Sequence, residues 1–228
     1  MARAAEAMAE GAAAFAARIE NREIAPAGEL RVATSDALLM DLLTPVLADF
    51  RRAYPAVRLE AVLSNPSLNL SRRDADVALR ATDNPPESLA GRRVATLGWA
   101  LYGAQGASAA GDWVAPSDDL AELPAAKATL ARVPPERIGY RVNSVLALAE
   151  AIGRGAGVGF LPCFMGEARP DLVRLEPPDP AQATGLWLLV HPELQRAPRA
   201  RAFLDFAAAR LTGMRSFLGG RAGPGQAG

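Results

Sequence analysis

Twice in this chain a strand candidate runs straight into polar residues that open a helix. The first case is Val32-Ala33-Thr34-Ser35-Asp36 and the second is Tyr140-Arg141-Val142-Asn143-Ser144. A strand that runs straight into a capped helix belongs to an open α/β sheet, and strands separated by helices imply parallel pairing with right-handed crossovers. The surrounding residues fit that rhythm. Glu29–Thr34 is a strand candidate, and Ser35 and Asp36 are helix-capping types. Leu39, Leu42, Leu43, Val46, Leu47 and Phe50 follow at helical spacing. Thr44-Pro45 falls inside that run as a second cap and first helical position, which predicts a kink or restart. Val57–Ser64 alternates as a strand, Asn65-Pro66 begins a turn, and Ala75–Leu79 reads as a third, buried strand ending at Arg80.

The second half repeats the pattern. A second lobe is expected to begin around Val94, with apolar Leu97–Gly103 followed by a loop of small residues to Ala115. Strands Ile138–Val142 and Val158–Leu161 flank a helix from Val145 to Arg154, and Leu186–Val190 is the last strand. Arg199–Leu211 then places Ala200, Phe203, Phe206, Ala207 and Leu211 on one helical face. The tail from Gly213 is glycine-rich and expected to fray.

Ahead of these elements, Met1 to Glu20 is alanine-rich without proline, a strong helix former. Met1, Ala5, Met8, Ala12, Phe15 and Ile19 alternate steps of four and three, the seam of a short coiled coil. A lone helix cannot bury that seam. It needs a partner helix, on its own domain or, as preferred here, on a second copy. Pro26 and Gly28 then form a linker.

Composition excludes several classes of function. The formal net charge is zero and the arginine pairs are scattered, so no basic stripe for nucleic acid is visible. One cysteine (Cys163) and one histidine (His191) rule out an internal disulfide framework and leave no Cys/His zinc cluster. No cofactor, metal or catalytic residue is expected. Glu6, Glu10 and Arg18 interrupt any signal-type apolar core, and no apolar run approaches a membrane span. The expectation is a cytoplasmic protein without a membrane partner.

Two motifs invite chemistry and lose it on inspection. The glycine run Gly153 to Gly159 follows a helix and opens a strand, whereas a phosphate-binding loop follows a strand and opens a helix. It reads as a helix cap with close backbone packing. His191 precedes Pro192 at a strand end with no nucleophile elbow in the chain, so a surface or hinge role is favoured over catalysis. Cys163 reads as a small buried residue. The two strand-to-helix junctions remain. Ligands of open α/β sheets bind beyond the C-terminal strand ends, where helix N-termini present unpaired N–H groups. Facing each other across a cleft, the junctions would hold a small polar or anionic molecule; taken alone, each is also ordinary capping.

At these residues the sequence resembles the effector-binding domain of LysR-type transcriptional regulators. Gly28–Val32, Leu43–Pro55 with its Phe50-Arg51…Tyr54-Pro55 ending, Asp74–Arg80, Asn143-Ser144, Gly155–Pro162, Leu186–His191 and the Pro198…Phe206 stretch occur in the family's order and spacing. Met1–Glu20 resembles the linker helix that pairs such regulators. The resemblance implies a two-lobed, type 2 periplasmic-binding-protein-like fold, each lobe a mainly parallel sheet flanked by helices. Residues 1–23 would be the linker and dimerisation helix, 28–93 plus 191–212 the first lobe, 94–190 the second, and 213–228 a flexible tail. Effector contacts are carried over onto Thr34, Ser35, Asp36, Ser64, Asn65, Arg80, Asn143 and Ser144. Arg80 is read either as an anion partner or as a salt bridge to Asp76 or Asp83. The implied function is sensing of a small metabolite between the lobes to control transcription, with the protein as a homodimer or tetramer. DNA would be reached only through a winged helix-turn-helix, for which this chain offers no segment. The alternatives are a solute-binding protein of the same fold and a DNA-free partner subunit of a full-length regulator.

Overall fold

In the computed structural model, which describes residues 25–63 and 75–221, ten strands form a five-stranded sheet and a second layer in which a three-stranded and a two-stranded sheet are joined by one bridge, with helices packed against them. The expected helix and seam over Met1–Glu20, and the Ser64 and Asn65 positions, lie outside the described residues. The first sheet has the order β2-β1-β3-β10-β4. It is built from β1 (Gly28–Thr34), β2 (Val57–Leu63), β3 (Val77–Ala81), β4 (Ala90–Leu97) and β10 (Thr184–Val190). The second layer contains β5 (Trp99–Ala104), β6 (Trp113–Pro116), β7 (Ile138–Val142), β8 (Gly159–Pro162) and β9 (Leu172–Arg174). Its order is β8-β5-β9, and a bridge from Trp113 to Val158 joins the parallel pair β6-β7 to it.

Both layers are mixed, which corrects the expectation of mainly parallel sheets. β1 pairs parallel to β2 and β3, but β10 runs antiparallel to β3 and β4. In the second layer β5 is antiparallel to β8 and β9. The cause in the first sheet is topological: β4 carries the chain out to the second lobe and β10 brings it back, so the two must run in opposite senses. They pair from Ala90↔Val190 to Leu97↔Thr184. The first sheet therefore holds the chain as far as Leu97 and takes it up again at Thr184. Residues 103–115 are not all loop, because Trp113 and Val114 are buried in β6.

The helix after β1 begins as α1 (Asp36–Leu38), widens into a π-turn (Leu39–Leu43) and restarts as α2 (Thr44–Ala53) with Pro45 in its first turn. The restart expected at Thr44-Pro45 is thus a π-bulge, the form helices take when an extra residue is inserted. Thr44 Oγ1 donates to the Leu39 carbonyl at 2.7 Å and ties the bulge together. In the second lobe lie α3 (Pro124–Arg132), α4 (Val145–Gly153) and α5 (Cys163–Ala168). α6 (Pro198–Gly213) returns to the first lobe, where Phe203 meets Phe50 edge-on at 5.2 Å.

The glycine run behaves as a cap. The Gly155 N–H bonds the Ile152 carbonyl and Gly155 has φ +80°, while a Cβ on Gly159 would lie 2.7 Å from the Val114 carbonyl. The tail, expected to be flexible from Gly213, is instead ordered through Arg221. It forms α7 (Arg215–Leu218), whose Leu218 is fully buried. The reason is tertiary: the Gly98 N–H bonds the Leu218 carbonyl at 2.9 Å, and the groove there admits only glycine at Gly220. Among the described residues no helix is long and apolar enough to cross a membrane.

Candidate functional site

The two strand-to-helix junctions meet. Ser35 caps α1, its Oγ accepting from the Leu38 N–H at 3.4 Å, and Asp36 Oδ1 accepts from the Ala37 N–H at 2.7 Å. Ser144 caps α4, its Oγ accepting from the Ala147 N–H at 3.2 Å. The same Ser144 hydroxyl donates to Asp36 Oδ2 at 2.5 Å, across the gap between the lobes. A neutral cap in one lobe and a carboxylate in the other thus share a single hydrogen bond, strengthened because its acceptor is charged.

Behind this bond lies a cleft of about 350 Å³. Ser35, Asp36, Arg80, Thr82, Asn84, Asn143 and Ser144 supply its polar groups; Leu38, Leu97, Trp99, Leu120, Phe164 and Leu189 supply much of the apolar wall. Mostly apolar surface with a few convergent polar groups is the usual make-up of a small-molecule site. Burial pulls the Arg80 guanidinium below its ordinary proton affinity, although an arginine stays charged at any physiological pH. The two carboxylates considered as its salt-bridge partners have backbone donors: Asp76 accepts from the Arg31 N–H at 2.9 Å and Asp83 from the Gly185 N–H at 2.8 Å. Asn143 donates to Asp119 at 3.2 Å, and Arg141 beside it pairs with exposed Asp118 at 2.7 Å.

Six of the residues carried over by resemblance are within the described part, and five of them line the cleft. Thr34 does not: it is fully buried at the end of β1, with its hydroxyl unpartnered. The sequence reading missed the apolar wall. Trp99 is 2% exposed, lines the cleft, and its indole N–H is buried without a hydrogen-bond partner. Its signal was present in the apolar stretch Leu97–Gly103, but nothing in that stretch says which side chains face a cleft. His191 caps a short turn by accepting from the Glu193 N–H, and Cys163 is fully buried. Among the described residues no three His, Cys, Asp or Glu side chains are placed to hold a metal.

Removing the carboxylate that joins the lobes has a readable outcome. Asp36→Ala is expected to cost about 1.5 kcal/mol, the worth of a hydrogen bond to a charged group. Asp36→Asn, which keeps an acceptor, should retain most of that stability. Equilibrium urea unfolding measures both, and an alanine variant as stable as the parent would show that the interlobe bond contributes nothing.

A two-lobed α/β domain with a cleft between its lobes is the class of molecule that this fold and site define. Solved structures agree on the fold. The regulatory domain of CrgA, a LysR-type transcriptional regulator from Neisseria meningitidis, superposes with a TM-score of 0.69 at 22% identity, over 82% of this chain and 100% of that one. The effector domain of the regulator AmpR of Pseudomonas aeruginosa gives 0.67 at 18% identity, over 83% and 97%. The profile of the LysR substrate binding domain matches residues 24–212, and the chain belongs to that family, the effector-binding domain of LysR-type transcriptional regulators. In sequence it is similar to the Mau operon transcriptional activator of Paracoccus denitrificans, 28% identical over 208 residues. That match spans 88% of this chain and 71% of the activator. It is also similar to the HTH-type transcriptional regulator CrgA of Neisseria meningitidis serogroup C, 36% identical over 92 residues, or 40% of this chain and 30% of that protein.

Proposed function

We propose that the cleft between Ser35-Asp36 and Asn143-Ser144 holds a small organic effector, and that its binding biases the angle between the lobes. The observation that carries this reading is the Asp36–Ser144 bond, which makes the two junctions one site and links any ligand there to both lobes. The chemistry favours an amphipathic molecule. Its apolar body would lie against Leu97, Trp99 and Phe164, with acceptor atoms toward Arg80 and Asn143. A carboxylate suits that donor set. A ligand that prefers one interlobe angle shifts the population toward it, and no more is needed for a signal. DNA contact, assembly as a homodimer or tetramer, and a cytoplasmic location are proposed on the family's behaviour.

A thermal-shift screen of small carboxylates and aromatic metabolites tests the site. A binder at ten times its Kd should add about 1.4 kcal/mol, roughly 3–5 °C for a protein of this size. Asn143→Ala and Arg80→Gln should each reduce that shift. A stabilising acid whose effect survives both substitutions would place the ligand elsewhere.

A further inference from the structure

The C-terminal segment that follows α6 crosses the hinge on the side away from the cleft. Side chains along an extended strand alternate between its two faces. At the crossing, Leu97 and Trp99 line the cleft, while Thr96 and Gly98 line a separate groove behind it. Arg215, Gly219, Gly220 and Arg221 form the other wall of that groove. The junction of β8 and α5 repeats the division: Pro162 and Phe164 line the cleft, whereas Cys163 lies against Gly220.

The segment is bonded to the first lobe, to the pivot and to the second lobe in turn. Arg215 Nε donates to the Val94 carbonyl on β4 at 2.8 Å. The Gly98 N–H bonds the Leu218 carbonyl at 2.9 Å, and the Gly98 carbonyl accepts from the Cys163 N–H at 2.8 Å. Arg174, on β9, donates from Nη1 to the Gly220 carbonyl at 3.0 Å. Arg174 is itself held by Glu167, which also accepts from the Tyr102 hydroxyl at 2.9 Å. The fit is tight. A Cβ on Gly98 would sit 2.6 Å from the Gly219 carbonyl, and one on Gly220 would sit 2.6 Å from Cys163 Sγ. A rotation of one lobe against the other about Gly98 must stretch one of these bonds. The segment also lies past residue 212, where the match to the family ends.

We propose that Met214–Arg221 is a brace across the back of the hinge, which fixes the interlobe angle and so regulates the cleft from its far side. This rests on the cleft being the effector site. Freeing the brace would loosen the cleft junctions without altering any residue that lines the cleft.

The single cysteine reports on the brace directly. Gly220 has φ +73°, so Gly220→Val combines backbone strain with a clash against Cys163. That variant, and Arg215→Ala in the full chain as a milder one, would be treated with Ellman's reagent. The amides of Leu38 and Ala147, which the two caps hold, would be followed by hydrogen exchange in NMR. The expected result is Cys163 labelling faster by about tenfold in Gly220→Val, as for a locally opened segment. Exchange at Leu38 and Ala147 should rise with it, while exchange at Val32 in the first sheet stays unchanged. Faster labelling without faster exchange at the two junctions would mean that the segment only covers a cysteine. Unchanged labelling in both variants, or a rise at Val32 in step with the junctions, would also overturn the proposal. None of these readings uses a ligand, so a failed effector screen would count against the cleft and leave this test standing.

Discussion

Phe203→Ala is expected to destabilise the protein by about 3–5 kcal/mol, the range for deleting a buried aromatic ring. Phe203 is fully buried on α6 and packs edge-on against Phe50, which also meets Phe206 at 5.5 Å and Tyr54 at 4.7 Å. This aromatic group fastens α6 to α2, and each such pair adds about 0.5–1.5 kcal/mol beyond the area it buries. The neighbours are anchored on two different helices, so collapse into the vacancy is limited. Urea unfolding with unchanged m-value is the measurement. A loss below about 1 kcal/mol would mean that the cluster relaxes freely, contrary to the close packing of protein interiors.

Gly166→Ala should also destabilise, by about 2–3 kcal/mol, against the sign that local propensity gives. In the middle of a helix alanine is favoured over glycine by about 1 kcal/mol. Gly166 lies in α5 without a positive φ, so the sequence alone predicts a gain. The structure reverses it. A Cβ there would fall 2.3 Å from Cε1 and Cζ of Tyr102. That ring is 1% exposed and its hydroxyl is held by Glu167, so it cannot swing aside. Overpacking of this kind costs about 1–3 kcal/mol or more. The double substitution Gly166→Ala with Tyr102→Leu should recover part of the loss, because the clashing ring is gone. If the single variant melted higher than the parent, the contact between α5 and β5 would be looser than described.

Both sites belong to the same chain, yet only one was legible in advance. Phe203, Phe206, Ala207 and Leu211 recur at helical spacing, and periodicity alone places them on one buried face. Nothing near Gly166 announces Tyr102, which lies sixty-odd residues earlier and on another element. The same division runs through the candidate site. Ser35 and Ser144 were readable as caps because a small hydroxyl before an apolar helical run has a local job. That Asp36 would reach Ser144 was not readable, since 108 residues separate them. The apolar wall was harder still, because Leu97 and Phe164 look like any core residues until the lobes are set side by side.

The first and last strands show where local pattern stops. β1 and the helix after it follow from alternation, capping types and the Thr44-Pro45 restart. The partners of β10 do not: a stretch such as Leu186–Val190 is equally apolar whether it runs parallel or antiparallel. Its sense is decided by which lobe the chain is leaving. The tail is the sharpest case. Its glycines signal fraying by composition, and fraying is what a glycine-rich end does without partners. Here the glycines permit close approach instead: behind the hinge Gly98 packs backbone to backbone with Gly219, and Gly220 seats against the Cys163 side chain.

By itself the sequence determined the alternation of strands and helices, the capped junctions at Ser35 and Ser144 and the apolar face of α6. These are set by interactions within a few residues, which propensity and periodicity record. The tertiary structure decided the mixed sense of the sheets, the joining of Asp36 to Ser144, the apolar lining of the cleft and the seating of the tail. Each of those depends on contacts between residues far apart in the chain, whose energies appear only once the two lobes are packed against each other.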